Sequence, residues 1–317
     1  MSTATSFSGF DNINEPSLEQ RLKANLPLLF DWCFVDKGAF FNVRIPNSSQ
    51  YGNTEYKLKA VNDNRFSNGQ VWEAGRKNWV WESGVAQTTQ PIRCSGVYVN
   101  NTFYPANTSG TYSHYIDYPN GRVIFNNPIS PSAEVKAEFS YKLIQIFDAN
   151  KVDWMTFVQQ QSFRGEKTQN DNRGSGAWSQ YPEQRIQLPA IGIEISTSTK
   201  YKPYEIGSGA KYAYKNIVFY IIGEEDTLNS KLADIIAQQE EKTFYLFDET
   251  AVMSSGHLPL NYKGQLNSNA KTYKDLVELH AWNKMRISKS NIEGSQKFNQ
   301  VYIRYVNLET ETILFKV

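Results

Sequence analysis

Histidine is the side chain best placed to move protons or hold a metal near neutral pH, and this chain carries three: His114, His257 and His280. None stands at metal-ligand spacing from another histidine, a cysteine or a carboxylate, and no H-E-x-x-H occurs. His280, inside VELHAW, reads as a packed or surface histidine. Cys33 lies in the apolar run LLFDWCFV with no activating neighbour, so it reads as a small buried hydrophobe and not as a nucleophile. Gly207-Ser208-Gly209 supplies G-x-G, but Tyr212 stands where a dinucleotide cradle needs its third glycine, and there is no G-K-[ST]. Asn62-Asp63-Asn64 places Phe66 where a calcium loop needs an oxygen. Carboxylates are numerous, but no spacing marks a catalytic pair. The residues therefore point to a protein that is not an enzyme, with no cofactor and no metal.

Composition sets the frame for the elements. The chain has 317 residues, enough for two or three cores. Its 33 Lys+Arg nearly cancel its 32 Asp+Glu, so no global basic field drives it to nucleic acid or a membrane surface. Aromatics reach 14%, led by 19 Tyr and 18 Phe, which suits strands and protein interfaces. Cys33 and Cys94 are too few for a disulfide framework. MSTATSFSGFDNINE has neither the basic nor the apolar region of a secretory leader, and the apolar run Ile217–Gly223 is too short to span a bilayer. The expectation is a protein made in a reducing cytoplasm, in which the Asn-x-Ser/Thr triplets at Asn47, Asn101 and Asn107 are chance matches.

Three regions follow along the chain, giving an α+β fold. Residues 1–45 form an N-terminal arm and helix. Ser17 and Gln20 have capping-box spacing, Leu18, Leu22, Leu26 and Leu29 fall on one face, and Pro27 predicts a kink or break. Residues 46–147, with FFNVRI just before them, read as a β-rich module: YKLKAV, VWEAG, NWVWESG and VYVNNTFYP as short strands, HYIDYPNGRVIFN as a hairpin, and VKAEFSYKLIQIF as one long strand. Residues 148–317 form an α+β domain. It opens with a helix over 148–161 capped by Asp148 or Asn150, followed by a polar stretch, Arg164–Arg185, that reads equally as a disordered loop or as an arm ordering against a neighbour.

The core of that domain is Leu188–Phe247, a β-loop-β-α-β order. Glu224-Glu225-Asp226 sits at the helix start for the dipole, and Leu228, Leu232, Ile235 and Ile236 form the buried face. Tyr273–Trp282 fits helix or strand equally, and KMRISKSN, QVYIRYVNL and ETILFKV read as closing strands. Within the polar loop, Lys200, Tyr201, Lys202 and Tyr204 answer Lys211, Tyr212, Tyr214 and Lys215. This basic–aromatic interleave reads as two strand ends with tyrosines paired across strands, as a nucleic-acid stacking surface, or as a subunit contact built on Tyr201, Tyr204, Lys211, Tyr212 and Tyr214.

The strand LPAIGIEI, the YEIGSG turn into a Tyr/Lys-rich loop, IVFYIIGEE and the helix LNSKLADIIAQQ together resemble the tail-terminator and neck proteins of contractile-tailed bacteriophages. The segment from GVYVNNTFYP to AEVKAEFSYK resembles β modules of phage virion proteins, and the two likenesses cover about half of the chain. The resemblance implies a homo-oligomeric ring, commonly six-fold. It would terminate the tail and join it to the head connector, contact other neck, tube or sheath proteins, and pass DNA through its lumen without specific binding. It also implies a place in the virion after assembly in the host cytoplasm. The alternative is a baseplate or fibre-associated β module binding carbohydrate through Trp72, Trp79 and Trp81, residues that read first as core.

Overall fold

The computed structural model describes residues 13–46, 55–150, 186–205, 209–298 and 301–315. The fold is mixed α+β, mostly strand, opening on a helix and closing on strands. The N-terminal helix, α1 (Leu18–Asp36), starts where the sequence places it: Ser17 and Gln20 close a reciprocal capping box. Pro27 does not break it. The helix runs on to Asp36 because Leu22, Leu26, Leu29 and Phe30 on both sides of the proline are buried in one core. Burial on that scale outweighs one missing backbone hydrogen bond.

The β-rich region is a seven-stranded sheet in the order β5-β4-β8-β2-β3-β7-β6. Its strands are β2 (Lys57–Ala60), β3 (Val71–Glu73), β4 (Gly96–Val99), β5 (Thr102–Pro105), β6 (His114–Asp117), β7 (Arg122–Phe125) and β8 (Val135–Lys136). VYVNNTFYP is two strands, β4 and β5, because Asn100 and Asn101 both take positive φ and form a two-residue hairpin turn. HYIDYPNGRVIFN forms the expected hairpin, β6–β7. NWVWESG is not a ladder strand: Trp79 makes a single bridge to Tyr141, and its ring stacks on Phe139 at 4.2 Å inside the core. Trp72, Trp79 and Trp81 are all buried, so none offers a face to a sugar.

VKAEFSYKLIQIF divides among three sheets. β8 joins the seven-stranded sheet, β9 (Phe139–Lys142) pairs with β1 (Phe40–Val43), and β10 (Gln145–Asp148) pairs in parallel with a strand of the second large sheet. The chain thus crosses from one core to the next. Asp148 closes β10 and its side chain accepts from Asn150 N at 2.9 Å; beyond Asn150 the helix expected over 148–161, and Arg164–Arg185, lie outside the described residues.

The second large sheet has the order β10-β11-β13-β16-β15-β14, with β12 beside β13. Its further strands are β11 (Ala190–Ile195), β12 (Lys200–Pro203), β13 (Lys211–Gly223), β14 (Thr243–Phe247), β15 (Ala281–Phe298) and β16 (Val301–Leu314). QVYIRYVNL and ETILFKV are one strand, β16. Glu309 and Glu311 do not interrupt it, because they lie on one face while Val306, Leu308, Thr310 and Thr312 are buried on the other.

Helix α2 (Asp226–Ala237) follows β13 as expected and buries Leu232, Ala233 and Ile236 against that inner face together with α1. Ile235 is exposed, a quarter-turn off the buried stripe. Asp226, at the positive helix end, also pairs with Arg304 at 3.1 Å. After the short helix α3 (Glu249–Ser254), Tyr273–Trp282 resolves into helix α4 (Tyr273–Leu279), capped by Thr272 and Asp275, leading straight into β15. Residues 257–271 lie over the seven-stranded sheet, where Gly264, at φ +72°, leaves no room for a side chain: a Cβ would stand 2.2 Å from Asp117 Oδ1.

Candidate functional site: an aromatic sheet end

The five residues singled out in the sequence gather at one end of the second sheet. β12 and β13 pair antiparallel with Lys200 opposite Tyr214, Tyr201 opposite Ala213, Lys202 opposite Tyr212 and Pro203 opposite Lys211. The cross-strand partners are therefore Lys–Tyr and not Tyr–Tyr, a correction to the expected pairing. Lys202 Nζ lies 5.1 Å from the Tyr214 ring, a cation–π contact.

Directly opposed residues share a face, so Tyr212 and Tyr214 stand with Lys200 and Lys202, while Tyr201 and Lys211 belong to the reverse face. Tyr204, just past β12, turns back onto Tyr212, with ring centroids 5.1 Å apart, and meets Phe315 edge-on at 6.1 Å. Tyr212 and Tyr214 are 6.0 Å apart. The structure therefore unites Tyr204, Tyr212 and Tyr214, adds Phe315, and sets Tyr201 and Lys211 behind them. Sequence reasoning missed Phe315; the signal was its place one residue past β16, whose Ile313 pairs with Tyr212. Phe315 is 69% exposed and Tyr201 54%. Loss of water around Tyr212, with Tyr204 and Glu311 nearby, raises its phenol above the ordinary value.

This cluster heads a broader surface. On β13 the inward residues Ile217, Phe219 and Ile221 meet α1 and α2, whereas Tyr212, Tyr214, Asn216 and Val218 face the other way. Among the described residues no helix packs over that outward face. Arg286 there joins Glu311 at 2.7 Å and also binds Glu241. At the far side, β14 covers β15 only along Ala281–Arg286, so the outer edge of β15 from Asn291 to Phe298 is unpaired among the described residues. The edge of β14 itself is blocked: buried Asn25 of α1 accepts from Phe247 N at 2.9 Å and donates to Phe247 O at 3.0 Å, and the Tyr273 hydroxyl donates to Tyr245 O at 3.0 Å.

The chemistry-bearing residues lie elsewhere. Among the described residues no group of three or more His, Cys, Asp or Glu side chains is arranged to hold a metal. His257 Nδ1 and His280 Nε2 share a 2.8 Å contact, so His280 is packed against a second histidine 23 positions away. His114 is buried, its imidazole pushed below the ordinary value by burial. Asp63 is engaged by Arg65 and Arg122, and the Arg65 hydrogen bond leads in holding its carboxyl down at about 2. Cys33 is exposed and not buried; it lines an apolar groove of about 880 Å³ with Leu29, Trp32, Phe244, Tyr273 and Val277. No helix among the described residues is long and apolar enough to cross a membrane. The chain matches no protein-family model, and a search of curated proteins found no significant match.

Proposed function

We propose that this chain is a structural protein of a tailed-phage neck, assembling as a ring of identical copies that terminates the tail and joins it to the head connector. The observation that carries the reading is the second sheet, packed by α1 and α2 on one face and ending on the other in the cluster Tyr204, Tyr212, Tyr214 and Phe315. Rigid aromatic side chains of this kind anchor protein interfaces. The edge of β15, unpaired among the described residues, would give a second contact, which a neighbouring strand would cover. A head-to-tail contact that closes makes a ring. Six copies, contacts to tube or sheath proteins and a lumen passing DNA come from the likeness to neck proteins at Leu188–Phe247 and belong to this proposal.

The test is the mass of the purified 36.3 kDa chain by light scattering, with negative-stain images of the same fraction. A closed ring of several copies is the expected result. A monomer at every accessible concentration that also fails to join neck or tail particles on mixing would overturn the reading.

A second reading, carbohydrate binding by a fibre-type β module, keeps one observation. A cleft of about 600 Å³ between the β6–β7 hairpin and residues 260–264 is lined by Tyr115, Phe66 and Tyr262, and Tyr262 is 93% exposed. A glycan array without a hit removes it.

A further inference from the structure

A second crevice, distinct from the aromatic sheet end, has the composition of an anion site. It lies between α1, the seven-stranded sheet and residues 265–271, and encloses about 430 Å³. Two cations line it, Arg93 and Lys271, and no carboxylate does. Arg93 makes no hydrogen bond or ion pair with any described residue, and the Lys271 ammonium forms no salt bridge among them. In a chain of net charge +1 that carries 32 carboxylates, the crevice lining holds two cations and no carboxylate, the Asp275 carboxylate near Lys271 lying outside it.

The remaining polar lining is rich in donors. Trp32 and Trp81 stand edge to face at 5.2 Å, and neither indole N–H has a partner among the described residues, although Trp81 is buried. Ser83 and Ser95 add hydroxyls. The Cys94 thiol contributes no negative charge, because burial pushes it up to about 12.

The backbone that carries the cations is anchored. Ile92, next to Arg93, takes two bonds from β9: Ile92 N donates to Ser140 Oγ at 2.6 Å and Ile92 O accepts from Ser140 N at 2.8 Å. Lys271 N is bonded to His257 O, and Thr272 caps α4.

We propose that this crevice binds a tetrahedral oxyanion, a phosphate or the phosphate of a small monoester, with Arg93 and Lys271 as its counter-charges. A guanidinium matches two phosphate oxygens in plane, and an ammonium supplies a point charge to a third. The volume exceeds what the oxyanion alone needs and falls in the range of small-molecule sites. An attached organic group would lie against Trp32, the less buried ring of the pair.

The probes are inorganic phosphate and phenyl phosphate, titrated into the full chain by calorimetry and by tryptophan fluorescence, with sodium chloride at equal ionic strength as reference. Binding raises the melting temperature by mass action. Both anions are expected to stabilise the protein beyond chloride. The double variant Arg93→Ala, Lys271→Ala is expected to weaken binding by at least about tenfold, roughly one lost charge-assisted contact. Arg93 is exposed, so Arg93→Gln serves as the folded variant should the double one fail, and it is expected to weaken binding in the same direction. Tighter binding of phenyl phosphate identifies a monoester site, and equal binding a site for the free anion. The proposal is overturned if neither anion exceeds chloride at about 10 mM, or if the variants bind as the native chain does.

Discussion

Lys142 on β9 sits between two carboxylates, bonded to Asp31 of α1 and 2.6 Å from Glu82, with its ammonium 4.8 Å from the Trp81 ring. Burial works against the lysine's charge, but Asp31 and Glu82 outweigh it and raise its value. Glu82 has the opposite balance. Burial is the largest effect and Asp31 adds to it, so the carboxyl is pushed up to about 7 despite Lys142. The cluster is thus neutral when Lys142 and Asp31 are charged and Glu82 holds a proton. Because the folded value lies above the unfolded one, this stability is present at low pH and is lost as pH rises through 7. From about pH 6 to about pH 8 the loss is expected to be about 1.4 kcal/mol. Urea titrations across that range measure it, and in Glu82→Gln the slope should flatten.

Asn25 gives a pH-independent test at the same scale. Asn25→Ala leaves the Phe247 N–H and C=O without partners in a buried setting, so a loss of about 1–3 kcal/mol is expected in the same titrations. Asn25→Leu should be no better, since it restores volume but neither bond.

At the scale of elements, the helix and strand types were largely legible, while their divisions depended on tertiary contacts. The Ser17–Gln20 box and the apolar stripe gave α1 its start and face, and the LPAIGIEI, IVFYIIG and LNSKLADIIA runs gave β11, β13 and α2. Pro27 misled because local backbone chemistry says nothing of the core on both sides of it. VKAEFSYKLIQIF alternates well enough for one strand, yet each third of it finds a different partner, and no periodicity encodes that choice. The aromatic end was half legible: the hairpin was visible, but Phe315 comes from more than 100 positions later and arrives only through the β13–β16 register. The seating of residues 257–271 on the seven-stranded sheet was not legible either, and it turns on one position. Gly264→Ala adds a methyl group into Asp117 Oδ1 and places a side chain at positive φ. A loss of about 1–3 kcal/mol in thermal unfolding is expected. Gly256 has a similar φ but open space around it, so Gly256→Ala should lose less, and an equal loss at both would show that the Asp117 contact contributes nothing.

For the whole molecule, the two cores place different demands on a neighbour. The seven-stranded sheet is closed in part by residues 257–271, whereas the outward face of the second sheet is covered only at one end among the described residues, where Ile186 and Leu188 pack on Ile222 and Ile303, and finishes at the other in four aromatic rings. If copies meet through that end, contact energy resides in Tyr204, Tyr212 and Phe315 and hardly in the lysines beside them, since exposed charges are screened and aromatic burial is not. Two results follow. The triple variant Tyr204→Ser, Tyr212→Ser, Phe315→Ser should run as a monomer by light scattering while melting within a few degrees of the native chain, because these rings lie outside the buried clusters of both sheets. Raising sodium chloride to about 1 M, where the screening length falls to about 3 Å, should leave native assembly intact. Asn25→Ala separates assembly from stability: it should melt earlier yet still assemble. An assembly that survives the triple variant but dissolves in salt would place the contact on charged groups, and the aromatic end would then be no more than the fold's own lid over β12 and β13.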